Sequence, residues 1–197
     1  MKTVTTANII TMIRGFIDDV LRTDGRDSHL YDQKKSFLLG KDFVSSSSIS
    51  VFQNGTELDI TDDWTYSSIT NRVTITSALT KTDEIIITFS YYEKYSDSEI
   101  TTYLSSCLAK FVINRYPKYF YMDDGEVVSM NNVNPTVEEA NIMAVITSIS
   151  IDPNNVNIKT RDFTITAEEN ESKSEQINRV FSQWLRTFGS PDFLEEE

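Results

Sequence analysis

The sequence predicts an α+β protein: a helical bundle of about four helices carrying an inserted small antiparallel β-sheet. Three observations predict it. Between Ser48 and Tyr92 apolar residues recur at every second position, the period of a half-buried strand. On either side they recur at i, i+3, i+4 and i+7, the period of a one-sided helix. Capping and turn residues stand where those periods change. The expected organisation is a helical body from residues 1–44 and 93–197, interrupted by a β insertion at 45–92.

In chain order, Ile9, Ile10, Ile13, Phe16, Ile17, Val20 and Leu21 make one apolar stripe, and Gly25 stands just beyond it as the expected helix stop. Arg22 to Lys35 is densely charged and reads as a loop. Its His29, the only histidine in the chain, has no companion ligands and reads as a surface residue. The Ser45 to Ser48 run reads as an entry loop. Asn54-Gly55 follows Ile49, Val51 and Phe52, and both residues tolerate positive φ, so a two-residue hairpin is expected there. Further strands are expected at Trp64 to Tyr66, Arg72 to Thr76 and Ile85 to Tyr92, the last with Ile85, Ile87, Phe89 and Tyr91 on its buried face.

Ser96-Asp97-Ser98-Glu99 reads as a capping box opening a second helix, with Ile100, Tyr103, Leu104, Cys107, Leu108, Phe111 and Val112 in register until Tyr116-Pro117. This helix is expected to pack against the first. Asp123-Asp124-Gly125-Glu126 lacks the alternate carboxylates and distal glutamate of a calcium loop and reads as a solvated turn. A second capping box, Thr136-Val137-Glu138-Glu139, opens a third helix that Asp152-Pro153 ends. Phe163 to Thr166 reads as a short strand. Ile177, Val180, Phe181, Trp184, Leu185 and Phe188 form the clearest stripe of all, closed by Gly189 and Pro191.

Composition narrows the function. The chain has 197 residues, 18 Lys+Arg against 30 Asp+Glu, and a net charge of -12. Nucleic-acid binding rests on basic side chains that neutralise phosphates, so general DNA or RNA binding is not expected. Cys107 lies on an apolar helix face and reads as an inert buried thiol in a reducing compartment. No signal peptide or membrane span is expected, which points to a soluble protein made in the cytosol. No nucleophile elbow, phosphate loop, dinucleotide fingerprint, zinc motif or paired cysteines occur, so no enzyme activity, cofactor or metal is expected. Acidic neighbours such as Asp62-Asp63 point apart on a strand or turn, which does not suit glycosidase chemistry.

The remaining candidates are contacts with other chains. Asn54, Gly55, Trp64 and Tyr66 are placed on the β insertion, and Phe193 and Leu194 in the acidic tail PDFLEEE, as protein-interface candidates. The sheet block (Ile49, Val51, Phe52, Asn54, Gly55, Trp64, Tyr66, Val73, Ile75, Asp83 and Ile85 to Tyr92) resembles a β unit recurrent in proteins of tailed bacteriophages. With the surrounding helix order and the acidic tail, the chain resembles a head-to-tail connector, or adaptor. That resemblance implies a virion structural protein at the neck, self-assembled as a twelve-membered ring beneath the portal protein, through which genomic DNA passes without specific binding. It also implies a C-terminal segment toward the portal and a β part toward the next tail or neck protein. The long serine entry and the aromatic Lys118 to Met122 segment depart from the family pattern. The alternative is a fibre or baseplate binding module recognising a surface glycan or another virion protein, with Trp64, Tyr66 and Tyr91-Tyr92 as stacking platforms.

Overall fold

The computed structural model describes residues 3–30, 34–114, 116, 118–153, 157–159, 164–166 and 171–188. The elements are α1 (Thr6–Phe16), β1 (Arg22–Leu30), β2 (Ser36–Leu38), a 3-10 turn (Ser46–Ser48), β3 (Ser50–Gln53), β4 (Thr56–Glu57), β5 (Trp64–Ser67), β6 (Arg72–Ile75), β7 (Glu84–Tyr91), α2 (Asp97–Ile113), β8 (Phe120–Asp123), β9 (Glu126–Ser129), α3 (Val137–Ile151), β10 (Asn157–Lys159), β11 (Thr164–Thr166) and α4 (Lys173–Phe188). They fall into two compact units, a helical unit of Met1–Asp18 with Asp97–Glu197 and a β unit of Asp19–Ser96. No helix among the described residues is long and apolar enough to cross a membrane.

This corrects the expected fold class. The chain is a mixed α+β protein, and neither part of the expected description, a helical bundle with one small sheet, survives intact. The inserted part holds a four-stranded sheet, order β1-β7-β3-β4, and a separate three-stranded sheet, order β2-β6-β5. The helical unit carries two antiparallel hairpins of its own, β8-β9 and β10-β11. The β unit begins at Asp19, not at residue 45, because the segment read as a charged loop is a strand. Residues Gly25 to Leu30 pair antiparallel with Phe89 to Glu84. Gly25, read as a helix stop, lies inside that strand. There a Cβ would stand 2.6 Å from both the ring and the main-chain oxygen of Phe89, so the close approach of β1 to β7 requires glycine.

In the helical unit α3 is the centre, in contact with α1, α2 and α4. It is buried on every face from Ile142 to Ser150, with Ile142, Met143, Val145, Ile146 and Ile149 all fully buried. A helix of that kind needs neighbours on every side. The first two helices touch each other, as the sequence suggests, and both also pack on α3. The Thr136 capping box forms as read: Glu139 N donates to Thr136 Oγ1 at 3.3 Å and Thr136 N to Glu139 Oε2 at 2.9 Å. α4 opens on a second such box missed in sequence, Ser172 N to Glu175 Oε2 at 2.9 Å and Glu175 N to Ser172 Oγ at 3.3 Å. The Ser172 side chain, and after it the Ser172 main-chain N, hold the Glu175 carboxyl below its ordinary pKa.

α1 stops at Phe16, short of the Leu21 that periodicity suggested, and Asp18 turns the chain with φ 52°. Its start is tied to the β8-β9 hairpin: Thr6 N donates to Glu126 Oε2 at 2.9 Å, and Val127 N to Thr6 Oγ1 at 2.7 Å. The acidic turn read as solvated is the turn of that hairpin, with Asp124 at φ 45° and Gly125 at φ 81°. Phe111 of α2 sits edge-on to Phe120, Phe181 and Trp184 at ring distances of 5.2, 5.0 and 6.2 Å, which joins β8 and α4 to the bundle. Cys107 is buried, with Sγ 3.2 Å from Ser150 Oγ.

Candidate protein interface

The core of the β unit is formed by Phe37, Leu39, Ile49, Val51, Trp64, Val73, Ile75, Ile85, Ile87, Phe89 and Tyr91. β7 supplies its spine, since Ile85, Ile87, Phe89 and Tyr91 alternate with half-buried residues as the sequence predicts. Among the described residues both sheets end in strands paired on one side only, β1 and β4 in one and β2 and β5 in the other. Such edges present unpaired backbone groups to a partner chain.

The hairpin at Asn54-Gly55 forms as read, with φ 51° and 82°. The Asn54 side chain is committed within the unit: Nδ2 donates to Asp83 Oδ1 at 2.8 Å and Oδ1 accepts from Glu84 N at 2.9 Å. Asp83 also accepts from Thr80 N at 2.7 Å, Thr80 Oγ1 at 2.8 Å and Gln53 Nε2 at 2.7 Å. The Thr80 main-chain bond, followed by the Asn54 and Thr80 side chains, holds the Asp83 carboxyl down to about 2. Asn54 therefore builds the turn, and the tip is exposed.

Trp64 is 1% exposed and belongs to the core, with Nε1 donating to Leu58 O at 3.3 Å. This corrects its placement as an interface residue and as a stacking platform. Tyr91 is likewise buried, its ring 6.2 Å from that of Phe89 and 5.0 Å from Lys41 Nζ. Tyr66 is half-buried; its hydroxyl donates to Asn71 Oδ1 at 3.0 Å, and burial pushes its pKa up. Phe193 and Leu194 lie outside the described residues.

Several apolar side chains of this unit face solvent: Val20 and Leu21, which the sequence placed on the first helical stripe, and others that were not singled out in sequence. Ile69, in the β5-β6 turn, is 96% exposed, and Leu30 and Leu38, at the ends of β1 and β2, are 75% and 54% exposed. His29 is half-buried with its ring 4.8 Å from that of Phe37. The only sequence signal for Ile69 was an isoleucine inside a polar Ser67-Ser68-Ile69-Thr70-Asn71 turn.

In the helical unit a cavity of about 410 Å³ opens beside Tyr119, Met130 and Val133, with Glu139 on its wall. That carboxylate accepts from Tyr116 Oη and Lys118 Nζ, each at 2.7 Å, besides capping α3. All of its partners are structural. Among the described residues no group of three or more His, Cys, Asp or Glu could hold a metal ion. Neither a protein-family model nor a curated protein matches the chain.

Proposed function

We propose that the chain is a virion structural protein, a head-to-tail connector that assembles with copies of itself into a ring joining the portal protein to the next tail or neck protein. Genomic DNA passes through the ring without specific binding. The observation that carries this reading is a β unit, set between α1 and α2, that ends in open strand edges and holds Leu30, Leu38 and Ile69 out in water. An unpaired edge flanked by exposed apolar side chains suits a heterologous contact, in which one face of a subunit fits a different face of its neighbour. The resemblance of the sheet block to phage β units supports the same reading. The net charge of -12 supports it as well, because a wall that repels phosphate does not retain the duplex moving past it.

The test is assembly on the portal. Mixed with its portal, the chain should elute as a complex whose mass by light scattering corresponds to a ring, and electron microscopy should show that ring against one portal face. A portal that leaves the chain unbound at micromolar concentration overturns the proposal.

A further inference from the structure

The turn that closes β3 onto β4 contains a reactive dipeptide. Asparagine followed by glycine cyclises readily, since glycine has no side chain to shield its backbone nitrogen. We propose that Asn54-Gly55 is a latent deamidation site, kept unreactive in the folded chain by the bonds that hold both ends of the Asn54 amide, and released when the hairpin opens.

In the reaction, base removes the Gly55 N–H proton, the nitrogen attacks Asn54 Cγ, and the Cγ–Nδ2 bond breaks as ammonia leaves. Water then opens the five-membered imide at either carbonyl and leaves an aspartyl or isoaspartyl residue at position 54. Ring closure requires Cγ to turn onto the Gly55 nitrogen. That turn breaks the 2.8 Å bond from Nδ2 to Asp83 and the 2.9 Å bond from Glu84 N to Oδ1. The Asn54 main chain is held as well, its N donating to Glu84 O at 2.9 Å. Asp83 cannot follow a moving amide because Thr80 and Gln53 anchor it.

The other side of the hairpin is weakly secured. β4 is two exposed residues at a sheet edge, in register with Phe52 and Gln53 and followed by one further main-chain bond, Leu58 N to Val51 O at 2.8 Å. Short edge segments of this kind open locally, without global unfolding. Once formed, the product cannot rebuild the lock. A carboxylate oxygen replaces the Nδ2 donor opposite Asp83, which sets like charges together, and an isoaspartyl link adds a methylene to a turn whose flanking residues are register partners.

The experiment follows deamidation at position 54 by peptide mapping and isoaspartyl methyltransferase labelling in mildly alkaline buffer. The native full chain should react at least about ten-fold more slowly than the same chain in urea, the protection that even a modest opening free energy supplies. Asp83→Ala should recover most of the unfolded rate while circular dichroism remains native. Thr80→Ala, which removes one anchor of Asp83, should give an intermediate rate and covers the case in which Asp83→Ala does not fold. Equal rates in buffer and in urea, or a folded variant reacting at the native rate, overturn the proposal.

Discussion

The Tyr116 hydroxyl donates to Glu139 Oε1 at 2.7 Å, and the ammonium of Lys118 meets the same oxygen at 2.7 Å. Burial is the largest single influence on Glu139 and pushes its pKa up, but Lys118, Thr136 N and Tyr116 together outweigh it and leave the carboxyl lowered. Burial and the bond to Glu139 push the Tyr116 phenol above its usual range, so it stays a donor. A lowered carboxyl stabilises the fold above the ordinary glutamate pKa of about 4.3, and that contribution fades as pH falls through the folded value. Glu139→Ala should cost about 3 kcal/mol near neutral pH, through the lost cap and two abandoned donors. Urea denaturation at neutral and acid pH should show the difference from wild type shrinking in acid.

Asp83 should govern acid sensitivity of the β unit. Its carboxyl, held at about 2, contributes stability that is complete above the ordinary aspartate range near 4. That contribution disappears as pH falls toward 2. Asp83→Asn should lower the melting temperature by several degrees at neutral pH and flatten its dependence on pH between those limits. Scanning calorimetry across that interval is the check, and a variant with the wild-type slope would show that the Asp83 bonds contribute nothing.

Trp64→Ala should destabilise the chain by about 3–5 kcal/mol, the ordinary cost of emptying a site filled by a buried aromatic side chain. Trp64→Phe should cost clearly less because most of the packing survives, although the Leu58 carbonyl loses its donor. Denaturant titration monitored by circular dichroism separates the two.

Gly25→Ala tests the β1-β7 approach. The added methyl meets the Phe89 carbonyl oxygen as well as its ring, and backbone cannot swing aside as a side chain can. A loss of about 1–3 kcal/mol is expected from the overpacking, with amide exchange quickening along β1. Wild-type stability would mean that the strands do not approach this closely.

Ile69→Asp should be nearly silent for folding, within about 0.5 kcal/mol, since the side chain is 96% exposed. If the β unit makes the proposed ring contacts at this tip, the same change should reduce incorporation into the portal-bound complex. Light scattering of the mixture reads that effect independently of the melting temperature.

Much of this fold was legible in residues whose local and tertiary roles agree. β7 alternates because one face is buried, Thr136 and Glu139 satisfy each other across one helical turn, and Ile177, Val180, Phe181 and Trp184 share one helix face. β1 was not legible, because Arg22 to Leu30 carries polar side chains toward both faces and becomes a strand only by pairing with β7. Which residues of the β unit face solvent was the least legible. Strand alternation sets Trp64 and Tyr66 on a common face, yet only the packing around each makes one core and the other half-exposed.

By itself the sequence determined the positions of the helices after the β unit, the Asn54-Gly55 hairpin and the acidic balance, all of which rest on periods, caps and turn chemistry within a few residues. The tertiary structure decided that the strands of the β unit divide into two sheets, that a charged stretch completes one of them, and that Trp64 is core while Ile69 stands in solvent. Those outcomes depend on which strand finds which partner, and backbone pairing between residues as distant as His29 and Ile85 leaves no local mark on either segment.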